Sequence, residues 1–93
     1  FHPGALADAR AAVAHYAERG GRLGEDFRAE LAWVVTLVAE GPEAGSPLAG
    51  GRRRWLMKRF PYAVVYRVVP DGAVRVLAVA HHRRRAGYWH ARA

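Results

Sequence analysis

The chain has 93 residues, 52% of them hydrophobic, which is enough for a single domain (residues 1–93) with a small core. It has no cysteine and no apolar run of membrane-spanning length, so the sequence indicates neither a disulfide scaffold, nor a cysteine-ligated zinc site, nor a membrane partner. These features are typical of a cytoplasmic protein, and that is the location we expect.

The formal charge of +7 is distributed very unevenly along the chain. Residues 1–46 hold four arginines and seven acidic residues, a net charge of −3, whereas residues 47–93 hold eleven basic residues and only Asp71, a net charge of +10. Fourteen of the fifteen basic residues are arginine, which suits bidentate contact with phosphate or carboxylate. The second half therefore predicts an acidic or polyanionic partner, with a merely solvated sheet surface as the alternative.

Two apolar stripes at spacings of three and four residues predict two helices in the first half. The stripes consist of Leu6, Ala9, Val13, Tyr16 and Ala17, followed by Leu23, Phe27, Leu31, Val34 and Val38. Gly20-Gly21 is expected to end the first helix and Gly41-Pro42 the second. Because few residues separate the helices, we expect them to pack as an antiparallel hairpin.

After a predicted loop at residues 41–51, the sequence changes to a strand-like pattern. Three strands are predicted, and they are Arg54–Arg59, Tyr62–Val69 and Ala73–His81. A two-residue type I′ turn at Asp71-Gly72 would place Tyr62, Tyr66, Arg75 and His81 on one face, whereas a three-residue loop would change that pairing. The tail, residues 83–93, is predicted to form either a short helix or an extended end. The order of elements predicts a two-layer α+β domain, a helical hairpin packed on an antiparallel meander.

Several short strings in this order resemble the RelE/ParE toxin superfamily. They are Phe1-His2-Pro3, Arg59-Phe60-Pro61-Tyr62, Val79-Ala80-His81-x-x-Arg84 and Gly87-Tyr88-Trp89. The resemblance implies the toxin of a type II toxin–antitoxin pair, such as a plasmid stabilisation protein. It also implies a cognate antitoxin whose C-terminal segment wraps the toxin in a hetero-oligomer. Members usually begin with one more strand before the Phe-x-Pro segment.

Two unlike activities share this fold, so the resemblance leaves the target open. ParE-like members inhibit DNA gyrase and cut nothing, and we expect this chain to act in that way on a protein target. RelE-like members cut mRNA within the ribosome, which is the alternative. A non-toxic basic domain that binds nucleic acid is a further alternative.

Each activity implies its own set of residues. For a metal-independent RNase the catalytic set would be His81, His82, Arg84 and Tyr88, because histidine exchanges protons near neutral pH and arginine neutralises phosphate. No carboxylate lies nearby in sequence, so a general base is not obvious. For binding a target or nucleic acid, the predicted residues are Arg54, Lys58, Arg59, Arg67, Arg75, Arg84 and Trp89. No cofactor and no metal is expected, since the side chains of His81 and His82 would point to opposite faces of a strand.

Overall fold

The computed structural model describes residues 1–93, with two helices packed on one face of a four-stranded antiparallel sheet. This arrangement confirms the predicted two-layer α+β fold. The strands lie in the sheet in chain order. The elements are α1 (Pro3–Ala17), α2 (Leu23–Glu40), β1 (Ser46–Pro47), β2 (Arg52–Leu56), β3 (Tyr62–Val68) and β4 (Val74–His81). Neither helix is long and apolar enough to cross a membrane.

The face that α1 turns to the sheet is rotated only in part from its predicted apolar stripe, whose three middle residues are partly buried against the core. Its buried residues are Ala5, Asp8 and Ala12, whereas Leu6 is 40% exposed. The Asp8 carboxylate accepts a hydrogen bond from the backbone N–H of Val79 in β4, at 3.1 Å. A buried carboxylate must keep its hydrogen-bond partners, and the helix is rotated accordingly. The prediction that Leu6 belongs to the buried stripe is therefore wrong.

Helix α2 buries the face that its sequence predicts. Phe27, Leu31, Val34 and Val38 are all buried. The Phe27 ring lies 5.0 Å, centroid to centroid, from the ring of Tyr62. Such edge-to-face contacts stabilise the core beyond the area they bury. Tyr62 and Tyr66 themselves are buried in this core, as their strand pattern predicts.

The β3–β4 hairpin closes with a three-residue loop rather than a type I′ turn. The Val69 N–H donates to the Ala73 carbonyl across the loop. Only Gly72 adopts a positive φ (+90°) there, whereas a type I′ turn would need one at Asp71 as well. With this loop Arg75 pairs with Arg67, and a bulge between Val65 and Tyr66 then shifts the register so that His81 pairs with Tyr62.

This register changes which residues share a face of the sheet. Tyr62 pairs with His81, and the two lie on the helix-facing side. Arg67 and Arg75 lie on the opposite side, which we call the outer face, because strand residues alternate between faces. The shared face of Tyr62 and Arg75 that a two-residue turn predicts is wrong, because the loop has three residues, which is the alternative that changes the pairing.

Strand β2 ends three residues before the predicted boundary at Arg59. The Glu30 carboxylate, on α2, accepts hydrogen bonds from the backbone N–H groups of Lys58 and Arg59 and holds them in a bend. The predicted loop at residues 41–51 also contains the short strand β1, whose Ser46 pairs with Arg54. The sheet therefore has four strands rather than the predicted three.

Residues 82–93, which we call the C-terminal segment, form successive turns rather than a helix or a strand. They lie over the outer face of the sheet. Arg52 donates from Nη2 to the carbonyl of His90 at 2.9 Å, and Arg75 donates from Nε to that of Ala93 at 2.7 Å. Val65 on this outer face is fully buried.

Candidate functional site

One buried carboxylate joins helix α1, strand β4 and the C-terminal segment. Asp8 accepts from the Tyr88 hydroxyl at 2.9 Å and from Arg92 Nη1 at 2.8 Å, besides the Val79 N–H. Arg84 Nη1 lies farther away, at 3.4 Å. The guanidinium of Arg84 stacks on the Tyr88 ring, 3.8 Å from its centroid. We call Asp8, Arg84, Tyr88 and Arg92 the Asp8 cluster.

The Asp8 cluster holds the Tyr88 proton firmly. Burial raises the pKa of the Tyr88 phenol to about 12, and the hydrogen bond to Asp8 adds to the rise. The same carboxylate raises the pKa of Arg92 through a hydrogen bond. At neutral pH, Tyr88 is therefore a proton donor committed to Asp8, and it is not available as a general base.

A cleft of about 420 Å³ lies beside the cluster, between α1 and the end of β4. His15, Tyr62, His81 and Arg84 line it. His81 accepts at Nδ1 from the Arg83 N–H at 3.0 Å. Burial, followed by the charge of Arg83, lowers the pKa of His81. The His81 ring is therefore neutral at neutral pH, with its hydrogen on Nε2.

The structure brings together only part of the predicted catalytic set. Arg84 and Tyr88 meet at Asp8, and His81 lines the same cleft as Arg84. His82 is exposed and does not line the cleft. The catalytic assignment of these residues stays a prediction.

The predicted binding residues lie in separate places rather than in one patch. Arg67 and Arg75 are cross-strand neighbours on the outer face. Arg54 and Trp89 line a shallow groove between the Ala49–Gly51 turn and the C-terminal segment. The remaining three are on other parts of the surface: Lys58 and Arg59 in the bend held by Glu30, and Arg84 in the Asp8 cluster.

Besides Arg84, which faces Asp8, one more of the predicted binding residues has an acidic partner. Arg59 Nη2 lies 3.3 Å from the Asp26 carboxylate of α2, in an ion pair at the surface. Such exposed pairs are weak, so the pair leaves Arg59 able to exchange partners. The basic half of the chain is thus partly neutralised by acids of the helices, a pairing that the linear charge count does not show.

The comparison with protein families decides the class of this chain. The model of the family described as "ParE toxin of type II toxin-antitoxin system, parDE" matches residues 1–86 of the 93. The chain belongs to the ParE toxin family. Membership of this family implies a cognate antitoxin as a partner. No curated protein was found to match the chain.

The match places the Asp8 cluster partly inside and partly outside the region that the ParE toxin family shares. Asp8 and Arg84 lie within the matched residues, whereas Tyr88 and Arg92 lie beyond residue 86. The Asp8 cluster thus joins Asp8, within the region matched to the family, to Tyr88 and Arg92, which follow that region.

Sequence reasoning missed three residues of this ParE-family site. Asp8, His15 and Arg92 were not predicted as site residues, although all three line the cleft. One signal for Asp8 was available: it stands three residues after Ala5 and four before Ala12, on a helix face of small apolar residues. An acid at such a position requires buried partners.

Proposed function

We propose that this ParE-family toxin arrests growth by binding a protein target, DNA gyrase, in the cytoplasm, without cutting nucleic acid. The observation that carries the proposal is the engagement of Arg84 and Tyr88 by Asp8. Both residues belong to the catalytic set that the RNase alternative predicts. Because Asp8 holds the Tyr88 proton, Arg84 and Tyr88 stabilise the C-terminal segment and do not transfer protons.

The charge distribution supports an extended protein contact. The predicted binding arginines are spread over the outer face, a groove and a bend, so they do not converge on one scissile bond. Such a spread suits long-range attraction to an acidic surface, followed by contacts at several points. Trp89, half-buried beside Arg54, supplies an aromatic contact of the kind that is frequent in interface centres.

The cognate antitoxin would neutralise the toxin by wrapping it with its C-terminal segment in a hetero-oligomer. An apolar groove between the helices, lined by Leu6, Val13 and Leu31, offers one docking surface. Arg10 and Arg28 lie at the same groove. An amphipathic helix of the antitoxin with acidic flanks would complement both the apolar floor and the basic rim.

A supercoiling assay with purified gyrase tests the proposed target. The purified chain should inhibit the supercoiling of relaxed plasmid, and adding its antitoxin should restore the activity. The Trp89→Ala variant should inhibit less, whereas Trp33→Ala, which removes an exposed tryptophan on α2, should inhibit as well as the parent. Undisturbed supercoiling in the presence of a large excess of the folded chain would contradict the proposal.

The RelE-like activity remains the second candidate, because one observation favours it. His81 and Arg84 line the same cleft, so a proton-transferring side chain and a phosphate-neutralising one lie close together. Under this alternative, the toxin would cleave mRNA on translating ribosomes and His81→Ala would abolish that cleavage. The parent chain would leave the activity of gyrase unaffected.

A further inference from the structure

We propose that the cleft between α1 and the end of β4 binds a phosphate monoester attached to a small flat group, of the mononucleotide type. The inference rests on the cleft alone and does not depend on the target of the toxin. Its volume of about 420 Å³ falls within the range of small-molecule sites, roughly 300–1,000 Å³.

The first observation is a surplus of positive charge in the wall of the cleft. Asp8 faces two guanidinium groups, those of Arg84 and Arg92, so one positive charge is left uncompensated. The Asp8 Oδ2 atom is already occupied by three donors, from Val79, Tyr88 and Arg92. Arg84 reaches only Oδ1, at 3.4 Å, and is the more weakly held of the two arginines.

The second observation is that several donors in the cleft have no acceptor in the protein. Arg84 donates only from Nη1, which leaves Nε and Nη2 without an acceptor in the protein, while the guanidinium lies over the Tyr88 ring. His81 carries its hydrogen on Nε2 because Nδ1 accepts from the Arg83 N–H. The Tyr62 hydroxyl also lines the cleft without a hydrogen-bond partner in the protein.

These donors come from different elements, so they favour an anion that can accept hydrogen bonds from several directions. Tyr62 begins β3, His81 ends β4 and Arg84 follows it. A planar carboxylate is satisfied by one arginine fork, whereas a phosphate presents oxygens in three dimensions and takes donors from several directions. A phosphate monoester carries a charge of about −1.5 to −2 at pH 7, and a diester carries only one. A monoester also has three non-bridging oxygens for the donors of Tyr62, His81 and Arg84, whereas a diester has only two, so the set of donors favours the monoester.

Another part of the cleft wall is apolar. It is formed by Ala7, Ala11 and Ala12 on α1. Methyl groups provide no hydrogen bonds but leave room for a ring to lie against the helix. His15, one turn beyond Ala11 on the same helix, stands at the cleft with its Nε2 accepting from Arg19 at 3.2 Å. A ligand with a ring and a terminal phosphate would contact both parts of the wall.

Titration of the purified chain, followed by ¹H–¹⁵N NMR, tests the proposal with defined probes. Adenosine monophosphate should shift the backbone signals of His15, His81 and Arg84 saturably, with a Kd below about 1 mM. Adenosine without the phosphate, and a dinucleotide that contains only a diester, should each bind at least about tenfold more weakly. Equal binding of adenosine or of the diester would overturn the proposal, as would the absence of any saturable shift.

Two pairs of variants separate this site from general attraction to a basic protein. Arg84→Gln should weaken the binding of adenosine monophosphate about tenfold, because it removes a charge-assisted contact. Arg85→Gln loses the same charge from an exposed neighbour outside the cleft, and it should change the Kd by less than about twofold. Equal effects of the two changes would refute the site.

The second pair of variants tests the apolar part of the cleft wall and changes no polar group. Ala11→Leu should block the ring and weaken adenosine monophosphate more than inorganic phosphate. Ala14→Leu, on the groove between the helices, is the matched control and should leave both affinities unchanged. If the two variants bound adenosine monophosphate alike, the apolar wall would have no part in recognition and the proposed ligand class would be wrong.

Discussion

The Tyr88 hydroxyl donates to the Asp8 carboxylate over 2.9 Å, although 80 residues separate the two in sequence. With Arg92, which also donates to the Leu77 carbonyl at 3.0 Å, this contact holds the C-terminal segment against the edge of β4. The order of the last twelve residues therefore depends in part on one acid of the first helix.

Replacing Asp8 should destabilise the whole domain. Asp8→Asn keeps the shape of the side chain but removes the charge that faces two guanidinium groups. We expect the free energy of unfolding to fall by about 2–3 kcal/mol, because a mostly buried Arg92 loses its ionic partner. Urea denaturation measures the change.

An exposed acid supplies the control for this measurement. Glu25, whose side chain is 72% exposed, forms only a surface pair with Arg22. Glu25→Gln should change the free energy of unfolding by less than about 0.5 kcal/mol. A loss below about 1 kcal/mol for Asp8→Asn would show that the Asp8 cluster does not hold the C-terminal segment.

The ionisation of Tyr88 should report directly on the Asp8 cluster. Its pKa of about 12 lies above the ordinary 10.0, so the folded state favours the neutral phenol. The resulting contribution to stability is fully present below pH 10 and is lost as the pH rises through 12. Absorbance titration of the parent and of Tyr88→Phe isolates this phenol. In Asp8→Asn the pKa of Tyr88 should move down towards 10, and an unchanged value would contradict the assignment.

The bend after β2 should depend on Glu30. Its carboxylate accepts from two consecutive backbone N–H groups, of Lys58 and Arg59, and the amide of Glu30→Gln can satisfy only one of them. We expect a loss of about 1 kcal/mol and faster hydrogen exchange at those two amides. Glu40→Gln, at the exposed end of α2, should have almost no effect. Unchanged exchange in Glu30→Gln would exclude this role.

Acid should weaken the fold through His81. Burial and the nearby charge of Arg83 lower its pKa, so the folded state favours the neutral ring. The free energy of unfolding should be highest above pH 6.5 and should fall as the pH drops below that value, until the folded protein is also protonated. His2, whose pKa is lowered in the same direction, adds to the slope.

Variants at the two adjacent histidines, His81 and His82, test whether the dependence of stability on pH comes from His81. In His81→Asn the slope of stability against pH between 6.5 and 5 should become shallower, and His82→Asn should leave it close to that of the parent. Urea denaturation at several pH values gives the slopes. A slope that is steeper in His81→Asn would show that the ring is stabilised in its charged form.

The parts of the fold that sequence predicts well are those decided by apolar periodicity. The stripe of Phe27, Leu31 and Val38 is buried as expected, because nothing polar competes for that face of α2. In α1 the same reasoning fails at Leu6, because Asp8 needs partners on β4. A polar residue on a helix thus decided its orientation against the hydrophobic pattern.

The remaining differences arise from contacts between distant residues. The bulge after Val65, which brings His81 opposite Tyr62, has no periodic signal in the sequence. The Asp8 cluster likewise combines residues 8, 84, 88 and 92, which only the folded chain brings together. The sequence analysis placed Arg84 and Tyr88 in one predicted catalytic set, but it could not show that the group they meet is an aspartate of α1.

Mapping mRNA 5′ ends in cells shortly after the chain is induced without its antitoxin tests the central claim most directly. The account predicts growth arrest with intact messages, because the toxin acts on a protein target and cuts no RNA. New 5′ ends in phase with translated codons would contradict it and would make His81 and Arg84 the residues of a ribosome-dependent RNase.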